Sequence, residues 1–127
     1  MKIEEYEIRK INDFLTLEDL KDKLASNNLI LIKAYTDKLL EEKLLPYLTK
    51  EEIIKSEDYK SEIAKINYLA SRAIFNLVLK CLLEKEIDDL IVKRYKNNKP
   101  YLENTIGLKF NISHTEGLVL LAFLKEK

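Results

Sequence analysis

Between Tyr59 and Lys85 apolar side chains recur every three or four residues, at Ile63, Ile66, Ala70, Ala73, Ile74, Leu77, Val78, Cys81 and Leu82. That spacing makes one stripe along an α-helix, and a stripe this long must be buried against a broad apolar partner. The opposite side of the same segment carries Lys60, Glu62, Lys65 and Lys80, which belong in water. Arg72 lies near the stripe, where a guanidinium needs either a solvent route or an anionic partner. Covering the apolar stem of the helix suits it better than holding a ligand.

The rest of the chain supplies that partner as strands and short helices. Ile3, Tyr6 and Ile8 sit among charges, the pattern of a half-exposed strand. Leu29 to Tyr35 reads LILIKAY between Asn-Asn and Thr-Asp, a buried strand. VKRYK alternates as a strand, Asn97-Asn98 reads as a turn, and Phe110, Ile112 and the run Leu118 to Leu124 form two strands joined by SHTEG. Thr16 with Asp19 resembles a capping box opening a short helix towards Ser26, and Thr49 with Glu52 opens another. Thr36 or Asp37 can cap a helix holding Leu39, Leu40, Leu44 and Leu45 before Pro46 interrupts it. The expected fold class is therefore α+β, one domain over residues 1–127, with the long helix packed on a small, mainly antiparallel sheet.

Composition narrows the functions open to such a domain. Twenty-two basic residues balance twenty-two acidic ones, so the net positive field that favours nucleic acid or anionic membranes is missing and any phosphate site must be local. A single cysteine cannot build a disulfide framework, and one Cys with one His makes no ordinary zinc site. No apolar run approaches the ~20 residues of a membrane span, and the charged N-terminus lacks the apolar centre of a secretory signal. A cytoplasmic location is expected.

The rare residues gather in one stretch, KPYLENTIGLKFNISHTEG, which holds the only histidine and both glycines. Taken by itself His114, between Ser113 and Thr115, reads as turn decoration. Its two hydroxyl neighbours and strand-end N–H groups also make a set of donors that suits a phosphate oxygen. Lys99 reads equally as an exposed lysine in a polar turn. Pro100, however, fixes its own φ and restricts Lys99 to extended backbone, so the ammonium is aimed. Lys55 and Lys65 read as solvated face charges. Ser113 and His114 are adjacent and so do not form a nucleophilic triad, and no glycine-rich phosphate loop is present.

Lys99-Pro100-Tyr101, then Phe110-Asn111-Ile112-Ser113-His114-Thr115, then Gly117 and the strand reaching Ala122-Phe123 resemble the central segment of the surfactin-type 4′-phosphopantetheinyl transferases. Leu69-Ala70-Ser71-Arg72-Ala73 resembles that family's L-x-x-R-A helix at a compatible distance. The likeness runs from about Leu29 to the end and is strong from Tyr68 onward, leaving residues 1–27 as an N-terminal extension to a transferase-like 28–127.

The resemblance implies one half of a pseudo-dimer of two α+β halves with the cofactor between them. It further implies magnesium-dependent transfer of phosphopantetheine from coenzyme A to a serine of an acyl or peptidyl carrier protein. It assigns Lys99, Ser113 and His114 to the coenzyme A phosphates, with Pro100 stiffening the lysine. The family's glycine before that lysine is Asn98 here, a residue that tolerates αL backbone. A basic residue that helps hold the 3′-phosphate is Asn67 here, and Lys65 is the candidate to compensate. The G-(I/V)-D-(I/V)-E and W-(T/S)-x-K-E-(A/S) segments that carry the magnesium carboxylates do not occur before Lys127. The expectation is half of a phosphate cleft, completed by a separately encoded second half or by a homodimer. Two other readings stand beside it: a non-catalytic protein binding coenzyme A or a carrier protein, and an unrelated α+β domain with a convergent S-H turn. On the transferase reading the 127-residue chain incubated with coenzyme A, magnesium and a carrier protein leaves the carrier's mass unchanged, and a phosphopantetheine mass increment contradicts the expectation.

Overall fold

A computed structural model of the chain describes residues 2–25, 28–36, 39, 41–83, 92–94, 100–102 and 108–125. In order these form β1 (Ile3–Ile8), a 3-10 helix (Ile11–Asp19) running into α1 (Leu20–Ala25), and β2 (Leu29–Tyr35). Next come α2 (Glu41–Leu44), a 3-10 turn (Leu45–Tyr47), α3 (Lys50–Ser56) and α4 (Glu62–Leu83). The chain continues through β3 (Val92–Arg94), β4 (Pro100–Leu102), β5 (Leu108–Thr115) and β6 (Leu118–Lys125). The architecture is α+β, as the sequence implies. Among the described residues no helix is long and apolar enough to cross a membrane.

Four strands make one mixed sheet in the order β1, β2, β6, β5. The β1–β2 pair is parallel and the other two are antiparallel; β3 and β4 form a separate antiparallel pair. Strand pleating gives the main sheet two different faces. Ile8, then Ile30, Ile32 and Ala34, then Val119, Leu121 and Phe123 are fully buried on the face that meets α4. Leu29, Leu31, Leu118, Leu120, Ala122 and Leu124 alternate with them and are half-buried on the other face.

α4 lays Leu69, Ala70, Ala73, Ile74, Phe75, Val78 and Leu79 against the sheet, each at most 1% exposed. Phe75 is the anchor, with its ring centroid 4.7 Å from Phe110 and 6.0 Å from Phe123. Burying so much aromatic area in one cluster is the largest packing term this helix has. The opening residues join the same core, since Ile8, Phe14, Leu17 and Leu20 are buried with it.

The structure refines the local reading in four places. The first helical segment begins at Ile11, and Thr16 lies inside it. Its backbone entry is held by Asp13, whose Oδ2 accepts from the Arg9 and Lys10 N–H groups at 2.8 and 3.2 Å. The Thr36 hydroxyl donates to Asn67 Oδ1, and Asp37, the other cap candidate, lies outside the described residues. Ile63, at the head of the stripe, is 45% exposed because it precedes the part of α4 that reaches the sheet. Ser113 to Thr115 belong to β5, and the connection is only Glu116-Gly117, with Gly117 at φ +76°, a backbone region that favours glycine. The Thr49 box forms as read: Thr49 N–H donates to Glu52 Oε1 at 2.9 Å and Glu52 N–H to Thr49 Oγ1 at 3.2 Å. Asn97-Asn98, Cys81's side chain and the segment around Ile87 lie outside the described residues.

Arg72 finds the anionic partner its place requires. Its Nε donates to Glu52 Oε2 at 2.5 Å, and both residues are 7% exposed. Asn76 Nδ2 donates to Glu52 Oε1 at 2.7 Å and to the Tyr47 carbonyl at 2.9 Å. One carboxylate thus ties α3, the preceding 3-10 turn and α4 together. Because removing one partner leaves a buried charge uncompensated, Glu52→Ala is expected to destabilise the fold by about 3 kcal/mol. Urea unfolding measures this, and a change within ~0.5 kcal/mol would mean the pair is a surface-type contact.

Candidate functional site

β5 is an edge strand of the main sheet, and its last residues lead into the turn to β6. Its register pairs His114 with the buried Val119, so the imidazole lies on the α4 side of the sheet, following Phe110 and Ile112. Ser113 and Thr115, paired with Leu120 and Leu118, fall on the opposite side with Lys109 and Asn111. All three of Ser113, His114 and Thr115 are exposed. Among the described residues β5 is an edge strand, and the hydroxyls and the imidazole occupy its two sides.

The turn beyond is fastened from below. Asn67, on α4 and 5% exposed, accepts the Thr36 hydroxyl on Oδ1 at 2.6 Å. Its Nδ2 donates to the Thr115 carbonyl at 2.9 Å. Thr36 N–H donates to the Gly117 carbonyl at 3.0 Å. Asn67 thus has both ends of its amide engaged within the protein.

Lys65 stands two residues earlier, about 200° around the helix from Asn67. Its ammonium is 3.1 Å from Glu41 Oε1 and 3.4 Å from Glu57 Oε1, with the side chain only 14% exposed. The hydrogen bond to Glu41, followed by the Coulomb pull of Glu41 and Glu57, holds its pKa above the ordinary lysine value against an opposing desolvation effect. It forms one wall of a depression of about 300 Å³ whose floor includes Leu39, Ile66 and Leu69. Lys55, read from the sequence as a solvated charge, is exposed but has its Nζ 5.8 Å above the Tyr68 ring. The signal for it was the Thr49 box: Glu52 faces α4, and the residue three further on shares that side of a helix.

Pro100 opens β4, opposite Arg94, and Lys99 lies outside the described residues. The imidazole and hydroxyls at the end of β5 are donors of the kind that phosphate oxygens accept. Among the described residues no three of His, Cys, Asp and Glu lie together to hold a metal ion.

A half-domain of four strands backed by one long helix, with its rare polar residues on an edge strand, defines the class. The family model described as 4′-phosphopantetheinyl transferase, N-terminal, matches residues 38–125, and the chain belongs to that family. No curated protein matches it at a significant level. Replacing one of Lys65's carboxylates tests how firmly that cation is committed: Glu41→Gln is expected to lower the Lys65 pKa towards its ordinary value, followed by NMR of the Nζ resonance. An unchanged titration would show that Glu41 does not hold it.

Proposed function

We propose that this chain is the N-terminal half of a surfactin-type phosphopantetheinyl transferase and that it binds the phosphates of coenzyme A along the free rim of β5. His114 carries the reading. It is an exposed imidazole at the end of an edge strand, next to two hydroxyls and fastened to α4 through the neighbouring Thr115 carbonyl. An imidazole N–H there can donate to a phosphate oxygen. Ser113 donates from the other side of the strand, and Lys99, stiffened by Pro100, supplies a further cation. Lys65 is left out of the phosphate set because Glu41 and Glu57 already balance its charge.

Coenzyme A, when bound, supplies the phosphopantetheine group that passes to a carrier-protein serine. What these residues contribute is positioning and partial neutralisation of the phosphates, the terms that dominate phosphoryl transfer. Magnesium would depend on residues other than those described. The half-buried leucines of β2 and β6 support a further part of the reading. Leu29, Leu31, Leu118, Leu120 and Leu124 form an apolar face that a second half-domain, from the same or another chain, would cover. A reducing cytoplasm is the compartment this chemistry implies.

Titration of the 127-residue chain with coenzyme A, followed through the His114 imidazole resonances, tests the assignment. Saturable shifts are expected, and His114→Gln is expected to weaken binding about tenfold, the range of one charge-assisted hydrogen bond. Equal affinity of the parent and His114→Gln chains would remove His114 from the site.

A further inference from the structure

We propose that Thr36 and Asn67 form a positioning clip that fixes the β5–β6 turn and so sets where His114 meets phosphate; this rests on the coenzyme A reading above. The β5–β6 ladder ends at Thr115 and Leu118, leaving Glu116 and Gly117 as a two-residue turn beyond it. Ser113, His114, Thr115 and Glu116 are all exposed, so no apolar side chain among them anchors the loop, and such ends open locally at low free energy. The clip supplies what the turn's own residues lack. Thr36 is 1% and Asn67 5% exposed, and between them they hold carbonyls on both sides of Glu116: Thr115 through Asn67 Nδ2 at 2.9 Å, Gly117 through Thr36 N–H at 3.0 Å.

The two side chains are also joined to each other, which fixes the orientation of the amide. If Asn67 turned its oxygen towards Thr115, two carbonyl oxygens would face one another. The Thr36 hydroxyl therefore donates to Oδ1, at 2.6 Å, and leaves Nδ2 for the turn. Since Thr36 directly follows β2 and Asn67 sits on α4, the turn is referenced to the central strand and to the long helix at once. His114 precedes the clipped Thr115 carbonyl by one residue. Asn67 thus acts through His114: it is a positioning residue, not a ligand.

The test uses the full chain and separates shape from hydrogen bonding. Thr36→Val keeps the side-chain volume and removes the donor, and Thr36→Ser keeps the donor. Thr36→Val is expected to bind coenzyme A about fivefold more weakly, the effect of one buried hydrogen bond, with faster amide exchange at Leu118 and the Gly117 turn in the free protein. Thr36→Ser is expected to match the parent in both. Asn67→Asp, which keeps the acceptor and loses the Nδ2 donor, is expected to behave as Thr36→Val does. Unchanged exchange at the turn in Thr36→Val overturns the clip, as does equal weakening by Val and Ser, which would assign the effect to packing. If His114→Gln binds as the parent does, the coenzyme A reading fails. The exchange measurement on the free protein still decides whether the clip orders the turn.

Discussion

The packing of α4 onto the sheet is the constraint from which the other features follow. Of the ten consecutive residues Leu69 to Val78, nine are buried, six of them hydrophobic and three polar with hydrogen-bond partners, beside the packed Phe75, Phe110 and Phe123 rings. A helix held that tightly cannot let its polar members choose their surroundings. Arg72 and Asn76 are carried into the interior by their neighbours, and Glu52 has to be there to receive them. The short helix α3 is docked by this electrostatic requirement as much as by its own apolar residues, since isolated helices of seven residues do not persist in water.

The same logic operates at the other end of the helix. Asn67 is buried by the advance of α4 towards the sheet, and a buried amide is costly unless both ends are bonded. Thr36 and the Thr115 carbonyl satisfy it. A requirement of core polarity therefore ties down the strand end that bears His114. Lys65, facing away from the sheet, is free of that requirement and is claimed by two carboxylates at the surface. Two residues only two positions apart on one helix thus acquire opposite roles from the direction they face.

The two faces of the sheet differ for a reason that bears on assembly. On the α4 side the residues of β2 and β6 are sealed, while on the other side the leucines of the same two strands remain half-buried. The outer strands dilute this apolar centre with Glu5 and Glu7 on one flank and Asn111, Ser113 and Thr115 on the other. Of the residues proposed to meet coenzyme A, Ser113 therefore borders the apolar face, while His114 lies on the α4 side of the same strand.

Periodicity alone determined the long helix, the extent of β2, the two C-terminal strands, the Thr49 box and the α+β class, because each rests on local geometry that repeats within a few residues. The short motifs around Lys99, Phe110–Thr115 and Leu69–Ala73 were enough to point to the family. Tertiary structure decided what no local pattern encodes. It brought Glu52 to Arg72 across twenty positions of sequence, joined the Thr36 hydroxyl to Asn67, and extended β5 through Thr115 so that its pleat parts the hydroxyls from the imidazole. Each of these depends on which buried polar group lies nearest after packing, and that distance is fixed only when the helix and the sheet have come together.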